Sequence, residues 1–177
     1  MIGTPEEVTT QYLENLEDNK NNIELNHLDF KSHVESSTPK IIKIEIKKNN
    51  SIEGNNLILR SRKDDLSIKV YFTDLSNRKP SIAFSIRRKS GEIVASCGSK
   101  NDGINFLTDS NGRKYYLVEY PKVALLKGNF YMDVSLFCSK GIHTFDHAVQ
   151  FLTFSVLQDD LEQGICHLNH KWLEFKP

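Results

Sequence analysis

The sequence lacks three features that would place it in a class at once: a net charge, a long apolar run and an export signal. Its 23 Lys and Arg residues balance its 23 Asp and Glu residues, so no overall field attracts a polyanion and nucleic acid is not an expected partner. The longest apolar runs, such as VALL at 123–126, are far below the roughly 18 residues that span a bilayer. The polar N-terminus has no signal-peptide core. These absences predict a cytoplasmic protein.

Cysteine is also scarce, which argues against a disulfide framework. The three cysteines, Cys97, Cys138 and Cys166, are an odd number, lie far apart and have no CxxC spacing. Small disulfide-stabilised domains instead use an even number of cysteines at short spacings. We therefore expect free thiols that serve as small strand or core residues.

Two short segments hold residue types that bind metals: His143 with His147, and Cys166 with His167 and His170. Zinc uses these ligands. Residues four apart on a strand, however, lie on one face about 13 Å apart, which is too far for both to bind one ion. The ligand spacings of structural zinc sites are absent as well. The sequence predicts no metal site and no cofactor, and a metal-dependent sugar-active enzyme is the weakest alternative.

Catalytic signatures are missing too. The sequence contains neither a G-x-S-x-G elbow nor a G-x-x-x-x-G-K-[ST] phosphate loop, so neither a hydrolase nucleophile nor P-loop binding of ATP is expected. The carboxylate pairs Asp64–Asp65 and Asp159–Asp160 fall in predicted turns, where a solvated loop is the ordinary explanation. The sequence therefore predicts a protein that is not an enzyme.

The first 39 residues predict a helix and a linker. Thr4 and Glu7 form a capping box around Pro5, which indicates that a helix begins there. Val8, Tyr12 and Leu16 then lie on one helical face, so we predict an amphipathic helix over about 5–18. Residues 18–39 are polar and Asn-rich, and they predict a linker. The predicted boundaries are 1–39 for helix and linker and 40–177 for the folded domain.

From Lys40 onward, apolar residues alternate with polar ones, as half-buried strands require. Ile42, Ile44 and Ile46 begin the pattern. Further alternating segments are 66–72, 82–86, 93–97, 115–120, 130–137 and 152–156. Turn signals at Ser90–Gly91 and at 109–112 separate some of them. Seven or eight short strands predict an all-β fold, an antiparallel β-sandwich of the immunoglobulin-like or jelly-roll kind.

The last quarter, GIHTFDHAVQFLTFSVLQDDLEQGICHLNHKW at 141–172, resembles the carbohydrate-binding C-terminal domain of Wzt-type ABC-transporter ATPases, which handle O-antigen polysaccharides. Upstream, LLKGNFYMDVSLF and SIAFSIRRKSGEIVAS are similar to that family's Gly-x-aromatic strand and its strand, turn and strand, so the resemblance covers about 40–172. It implies an immunoglobulin-like sandwich that binds the completed polysaccharide for export. TPEEVTTQYLENLE at 4–17 is similar to the end of the family's ATPase domain.

The resemblance also implies partners and a location. In a full-length protein, the partners would be an ABC-transporter ATPase domain and the membrane subunit, which place the domain at the inner face of the cell membrane. Similar domains form homodimers by swapping terminal strands. A protein-interaction or dimerisation module without glycan binding is the alternative from another class.

A glycan site needs planar polar groups for hydrogen bonds and an aromatic ring to cover a sugar face. The outward positions of three predicted strands, which are neighbours in an immunoglobulin-type order, supply both. The candidate carbohydrate-binding residues are Ser85, Arg87, Tyr131, Asp133, Ser135, Phe151 and Thr153, with Phe137 and Ser155 on the same predicted face.

The homodimer contacts are predicted in the last segment, Gly164 to Phe175. Ile165 and Leu168 are apolar there, and Trp172 is the only tryptophan. A terminal edge strand rarely covers such a side chain within its own fold. Exchange of this strand between two copies would cover it and pair the exposed edge.

Overall fold

The structure, a computed structural model, describes residues 37–173. The predicted helix and most of the predicted linker lie outside these residues. The described part forms ten β-strands and contains no helix, and thus none long and apolar enough to cross a membrane. The strands are β1 (Lys40–Lys48), β2 (Ser51–Glu53), β3 (Asn56–Arg60), β4 (Leu66–Thr73), β5 (Ser81–Arg88), β6 (Ile93–Gly98), β7 (Leu107–Thr108), β8 (Lys114–Tyr120), β9 (Gly128–Phe137) and β10 (Thr144–Leu157).

The strands form two five-stranded sheets that share one core. The first sheet has the order β2-β1-β4-β8-β7, and the second has the order β3-β10-β9-β5-β6. All paired neighbours are antiparallel except β3, which runs parallel to β10. The prediction of an all-β sandwich is confirmed, and the second sheet is mixed rather than purely antiparallel.

The core consists of the inward residues of both sheets. The predicted inward residues of β4, β5 and β10 are all buried: Leu66, Ile68, Val70, Phe72, Ile82, Phe84, Ile86, Leu152, Phe154 and Val156. Phe72 stacks on Tyr116 with ring centroids 5.7 Å apart, and Phe130 stacks on Phe154 at 5.6 Å. Burial of such side chains stabilises the fold by about 1.5–3 kcal/mol each.

The predicted phase of β1 is wrong at its start. The pairing of β1 with β4 shifts between Ile41 and Lys43, and this bulge turns Ile41 into the core while Ile42 is only half-buried. Beyond the bulge the expected alternation returns, since Ile46 is buried and Ile44 packs against the core. An extra residue in one strand explains the change, because it shifts every earlier side chain to the other face.

The predicted turns are confirmed where they can be checked. β5 and β6 form a hairpin, and Gly91 in its turn has φ 91°, a conformation that glycine adopts without steric cost. The turn between β7 and β8 is closed by the Gly112 amide, which donates to the Asp109 carbonyl at 3.0 Å.

The segment after β10 runs along residues 124–126. The Leu126 amide donates to the Ile165 carbonyl at 2.9 Å, and the His167 amide donates to the Ala124 carbonyl at 2.7 Å. The His167 ring contacts Glu162 at 2.8 Å, and Arg62 pairs with Asp160. These contacts hold Ile165 to His167 on the sandwich, whereas Trp172 is 89% exposed.

Candidate functional site

The three strands that carry the predicted site are neighbours in the second sheet, in the order β10-β9-β5. Arg87, Tyr131 and Thr153 lie side by side across these strands, because Arg87 and Thr153 are both register partners of Tyr131. Ser85 lies opposite Asp133 in the next row. The structure therefore brings these five residues together on one sheet.

Six of the seven predicted residues lie on the outer face of the second sheet. They alternate with buried residues along each strand: Ser85, Arg87, Tyr131, Asp133 and Ser135 are half-buried, and Thr153 is exposed. The tyrosine ring, the guanidinium and the hydroxyls therefore occupy one continuous surface, which we call the Arg87–Tyr131 face.

Phe151 is the exception, and its predicted outward position is wrong. Its side chain is only 2% exposed and packs edge-on against Phe84, with ring centroids 6.5 Å apart. Phe151 and Leu152 are consecutive residues, and both are buried, which a regular strand does not allow. Tyr131 thus remains the aromatic of the predicted set on this face.

An irregularity in β10 explains the inward turn of Phe151. Between Ala148 and Leu152 the register with β9 shifts, and Gln150 adopts a left-handed backbone conformation with φ 49°. The Gln150 amide donates to Asp133 Oδ1 at 2.8 Å. The bulge therefore depends on the outward carboxylate of the neighbouring strand.

Asp133 has a second partner on its other oxygen. Arg87 Nε donates to Asp133 Oδ2 at 2.7 Å, and Arg87 Nη1 donates to the Gly91 carbonyl at 3.2 Å. The Asp133 side chain is 15% exposed. With both oxygens occupied, the carboxylate positions Arg87 and the bulge, and it is less available to a ligand than the sequence suggested.

Ser85 Oγ donates to Asp133 Oδ2 at 3.5 Å, but several other polar groups of the face are open. Within residues 37–173, the Tyr131 and Thr153 hydroxyls, the Ser135 hydroxyl and Arg87 Nη2 have no hydrogen-bond partner. These groups donate and accept hydrogen bonds. The arrangement can therefore bind a ligand rich in hydroxyl groups, and it offers no nucleophile–base pair.

Two contacts of this face were not predicted from the sequence, although Ser155 was among its predicted outward residues. Ser155 Oγ donates to Asn129 Oδ1 at 2.8 Å, which extends the polar surface toward the start of β9. The parallel strand β3 places Asn56 beside Thr153. The short apolar run Leu57–Leu59 between Asn56 and Arg60 was a signal for β3, but nothing local identified β10 as its partner.

Cys138 lies at one end of the same sheet, in the loop between β9 and β10. The backbone amides of His143 and Ile142 donate to its sulfur and lower the pKa of the thiol to about 7. The His143 nitrogen lies 3.4 Å from Sγ. Neighbouring amides thus favour a thiolate at neutral pH.

The histidine segments do not assemble a metal site in the described residues. The His143 ring packs against Phe145, and the His167 ring contacts Glu162 and Arg62. Between residues 37 and 173 no three metal-binding side chains come together. Asp146 instead joins the two sheets, since its Oδ2 accepts the Ile41 amide at 2.8 Å.

No protein-family model and no curated protein matches the sequence. One solved structure with a weak likeness is a "putative beta-galactosidase" from Bacteroides fragilis, at 16% identity and TM-score 0.40; the match covers 63% of this chain and 17% of that one. Another is the "ASH / PapD-like domain of human CEP192", at 11% identity and TM-score 0.28; that match covers 78% of this chain and 99% of that one. At these scores neither neighbour bears on function.

Proposed function

We propose that this chain is a noncatalytic polysaccharide-binding domain of the immunoglobulin-like class, which recognises a completed O-antigen for an ABC exporter. The observation that carries the proposal is the row Arg87–Tyr131–Thr153, which sets a guanidinium, an aromatic ring and a hydroxyl side by side on an open face. The similarity of the sequence to Wzt-type domains names the ligand class. The ATPase domain, the membrane subunit and a location at the inner face of the membrane belong to the same proposal.

The face is the outer surface of a sheet, so a bound glycan would stay largely hydrated. Such binding falls in the micromolar to millimolar range, about 4–8 kcal/mol. Transport of long chains suits this range, because a repetitive ligand offers many equivalent sites to one domain.

The test is binding of the purified protein to a panel of lipid-free bacterial O-polysaccharides, with Tyr131→Ala and Arg87→Ala as variants. Both variants should weaken binding to the polysaccharide that the unmodified protein selects. Arg88→Ala, which removes a neighbouring guanidinium outside the row, is the matched control. Retention of full affinity by both variants would exclude this face, and the absence of binding across the panel would contradict the function.

A protein-interaction or dimerisation module is the second candidate, and one observation favours it. The end of the described chain exposes Leu168, Trp172 and Leu173 at 74%, 89% and 94%. Large apolar side chains exposed together are typical of contact surfaces. In this second candidate the chain binds protein and no glycan. We propose a homodimer for either function, in which a second copy of the chain covers these side chains.

A further inference from the structure

The outer face of the first sheet also carries an ordered set of polar and aromatic side chains. They form three rows across β1, β4 and β8: Lys43–Tyr71–Tyr115, Glu45–Lys69–Leu117 and Lys47–Ser67–Glu119. This face, which we call the Tyr71–Tyr115 face, lies on the opposite side of the sandwich from the Arg87–Tyr131 face. None of its residues belongs to the site predicted from the sequence.

The burial of Tyr71 shows that the side chains of this face pack on one another and are not simply solvated. Its side chain points away from the core, yet it is only 4% exposed. The Tyr115 ring lies 5.6 Å from it, the Lys69 ammonium 4.7 Å and the Arg113 guanidinium 4.9 Å. Lys69 also lies 3.9 Å from the Tyr115 ring. Cation–π contacts of this kind hold both cations in defined places.

Arg113 is further fixed by Asp109. Its Nε donates to Asp109 Oδ2 at 2.8 Å, and Asp109 Oδ1 accepts the backbone amides of Asn111 and Arg113. The backbone hydrogen bond from Arg113 is the main cause of the lowered pKa of Asp109. Both terminal nitrogens of Arg113 have no hydrogen-bond partner among residues 37–173. A guanidinium held by one side leaves its outer donors free for a ligand.

The charges of the face argue for a neutral ligand. Glu45 pairs with Lys43 at 2.8 Å, and its charge also acts on Lys69 and Arg113, so a carboxylate lies among three cations. A polyanion would meet that carboxylate, and an apolar protein surface would have to bury several charges at a high cost. A sugar can instead donate hydroxyl hydrogens to Glu45, accept from Lys69 or Arg113, and cover an aromatic ring with its C–H face.

The third row extends this face beyond a single sugar. Lys47, Ser67 and Glu119 have no side-chain partner within the described residues, and with Asn50 and Asp65 they line a cleft of about 100 Å³. Tyr71 and Ser67 are four positions apart on β4, a distance of about 13 Å. Hydrogen-bond donors and acceptors, among them side chains of both charge signs, therefore extend along the face from the Tyr71 and Tyr115 rings to the small cleft.

We propose that the Tyr71–Tyr115 face is a second saccharide-binding surface, which takes a neutral stretch of the same polysaccharide. The inference rests on the proposed function. With one surface on each side of the sandwich, one domain can hold two segments of a long chain or two chains, and linked weak sites raise the overall avidity without any new contact.

The test uses the O-polysaccharide that the unmodified protein selects from the purified panel. Tyr115→Ala removes the half-buried second ring of the face, and Glu45→Gln removes the central acceptor charge with little change of shape. Each should weaken binding by about tenfold, and the amide resonances of β4 and β8 should shift when the polysaccharide is added to isotope-labelled protein. Arg88→Ala is the control, and the amide spectrum of each variant reports whether it is folded.

The outcomes separate this inference from the proposed function. Unchanged affinity in the folded Glu45→Gln variant, with shifts confined to β5, β9 and β10, would overturn the second surface and leave the first intact. Loss of binding in Glu45→Gln together with shifts on β4 and β8 would support it. If no polysaccharide of the panel binds, both proposals fail.

Discussion

The Asp133 carboxylate accepts the Gln150 backbone amide at 2.8 Å, across the boundary between β9 and β10. A side chain predicted to bind a ligand therefore fixes the backbone of the neighbouring strand. Because Gln150 adopts φ 49°, Phe151 turns inward and leaves the outer face. The same carboxylate binds Arg87 Nε at 2.7 Å. It therefore positions residues of the site, and neither of its oxygens is left free for a ligand.

Asp133→Ala should destabilise the fold by about 0.5–1.5 kcal/mol, because it removes the hydrogen bond that the exposed Gln150 amide donates to the carboxylate. Loss of the ion pair adds little, since Arg87 is one third exposed and such pairs contribute little in water. Asp133→Asn retains a carbonyl oxygen and should cost less. Urea unfolding measures both variants, and Ser135→Ala on the same strand is the control. Equal stability of Asp133→Ala and the unmodified protein would show that the bulge forms without this contact.

Phe151→Ala should destabilise the fold by about 3–5 kcal/mol, as expected for a large buried ring whose removal leaves a cavity. Thr153→Ala, two residues further along the strand and exposed, should change stability by no more than about 0.5 kcal/mol. Thermal or urea unfolding of the pair gives the comparison. A small effect of Phe151→Ala would mean that the ring lies on the outer face after all.

The two errors in phase have one physical origin. Regular alternation correctly predicted the inward residues of β4 and β5, because every second side chain of a regular strand points to the same face. At Ile41 and Phe151 the strands contain extra residues, and no glycine, proline or Asn-Gly pair marks either bulge in the sequence. The bulge at Phe151 depends on Asp133, which belongs to another strand, so local patterns could not reveal it.

The candidate site, like the fold, was predictable only as far as regular strand alternation allowed. The adjacency of β5, β9 and β10 follows from the sandwich order, which the alternating pattern suggested. The Tyr71–Tyr115 face was not found, because its character depends on Lys69 and Arg113 folding over rings on two different strands. Those contacts arise from strand pairing across 40 and more residues of sequence.

The stability of the β3–β4 corner should depend on pH through Asp64, which is 7% exposed. Burial raises the pKa of its carboxyl, but hydrogen bonds from Asn49 and the Arg60 amide, with the charge of Lys48, outweigh that effect and lower the pKa below 3.8. A lowered pKa in the folded state stabilises the fold above the unfolded value, and this contribution is lost as the pH falls through the folded value.

Asp64→Asn should therefore reduce the free energy of unfolding at neutral pH by about 1–3 kcal/mol, and the difference from the unmodified protein should shrink in acid. Urea unfolding at neutral pH and below the usual Asp pKa measures this change. Asp102→Asn, at an exposed position with no side-chain partner among the described residues, is the control. A difference that stays constant with pH would show that the carboxylate charge is not involved.

Cys138 should react with iodoacetamide at a rate that rises through about pH 7, because the amides of His143 and Ile142 lower the pKa of its thiol to about 7. An ordinary cysteine thiol has a pKa of about 8.5, so its reaction rate rises at a higher pH. Peptide mass spectrometry after brief labelling resolves each cysteine, and the exposed Cys166 is an internal control. Identical pH profiles for the two cysteines would contradict the effect of the loop amides.

Deletion of residues 164–177 should convert the proposed homodimer into a monomer that still folds. The deletion removes the exposed side chains Leu168, Trp172 and Leu173, and it leaves all ten strands in place. Two backbone hydrogen bonds to Leu126 and Ala124 are lost as well, so a moderate decrease in stability is expected. Light scattering of the full and shortened proteins measures the mass in solution.

Trp172→Ala tests the same surface without removing the backbone contacts of Ile165 and His167. It should weaken the dimer while unfolding remains almost unchanged, because the side chain is 89% exposed within one copy. A shortened protein that folds and keeps the dimer mass would place the interface elsewhere, and the predicted helical face of Val8, Tyr12 and Leu16 is then the next surface to mutate. If the unshortened 177-residue chain is already monomeric, the homodimer itself is contradicted.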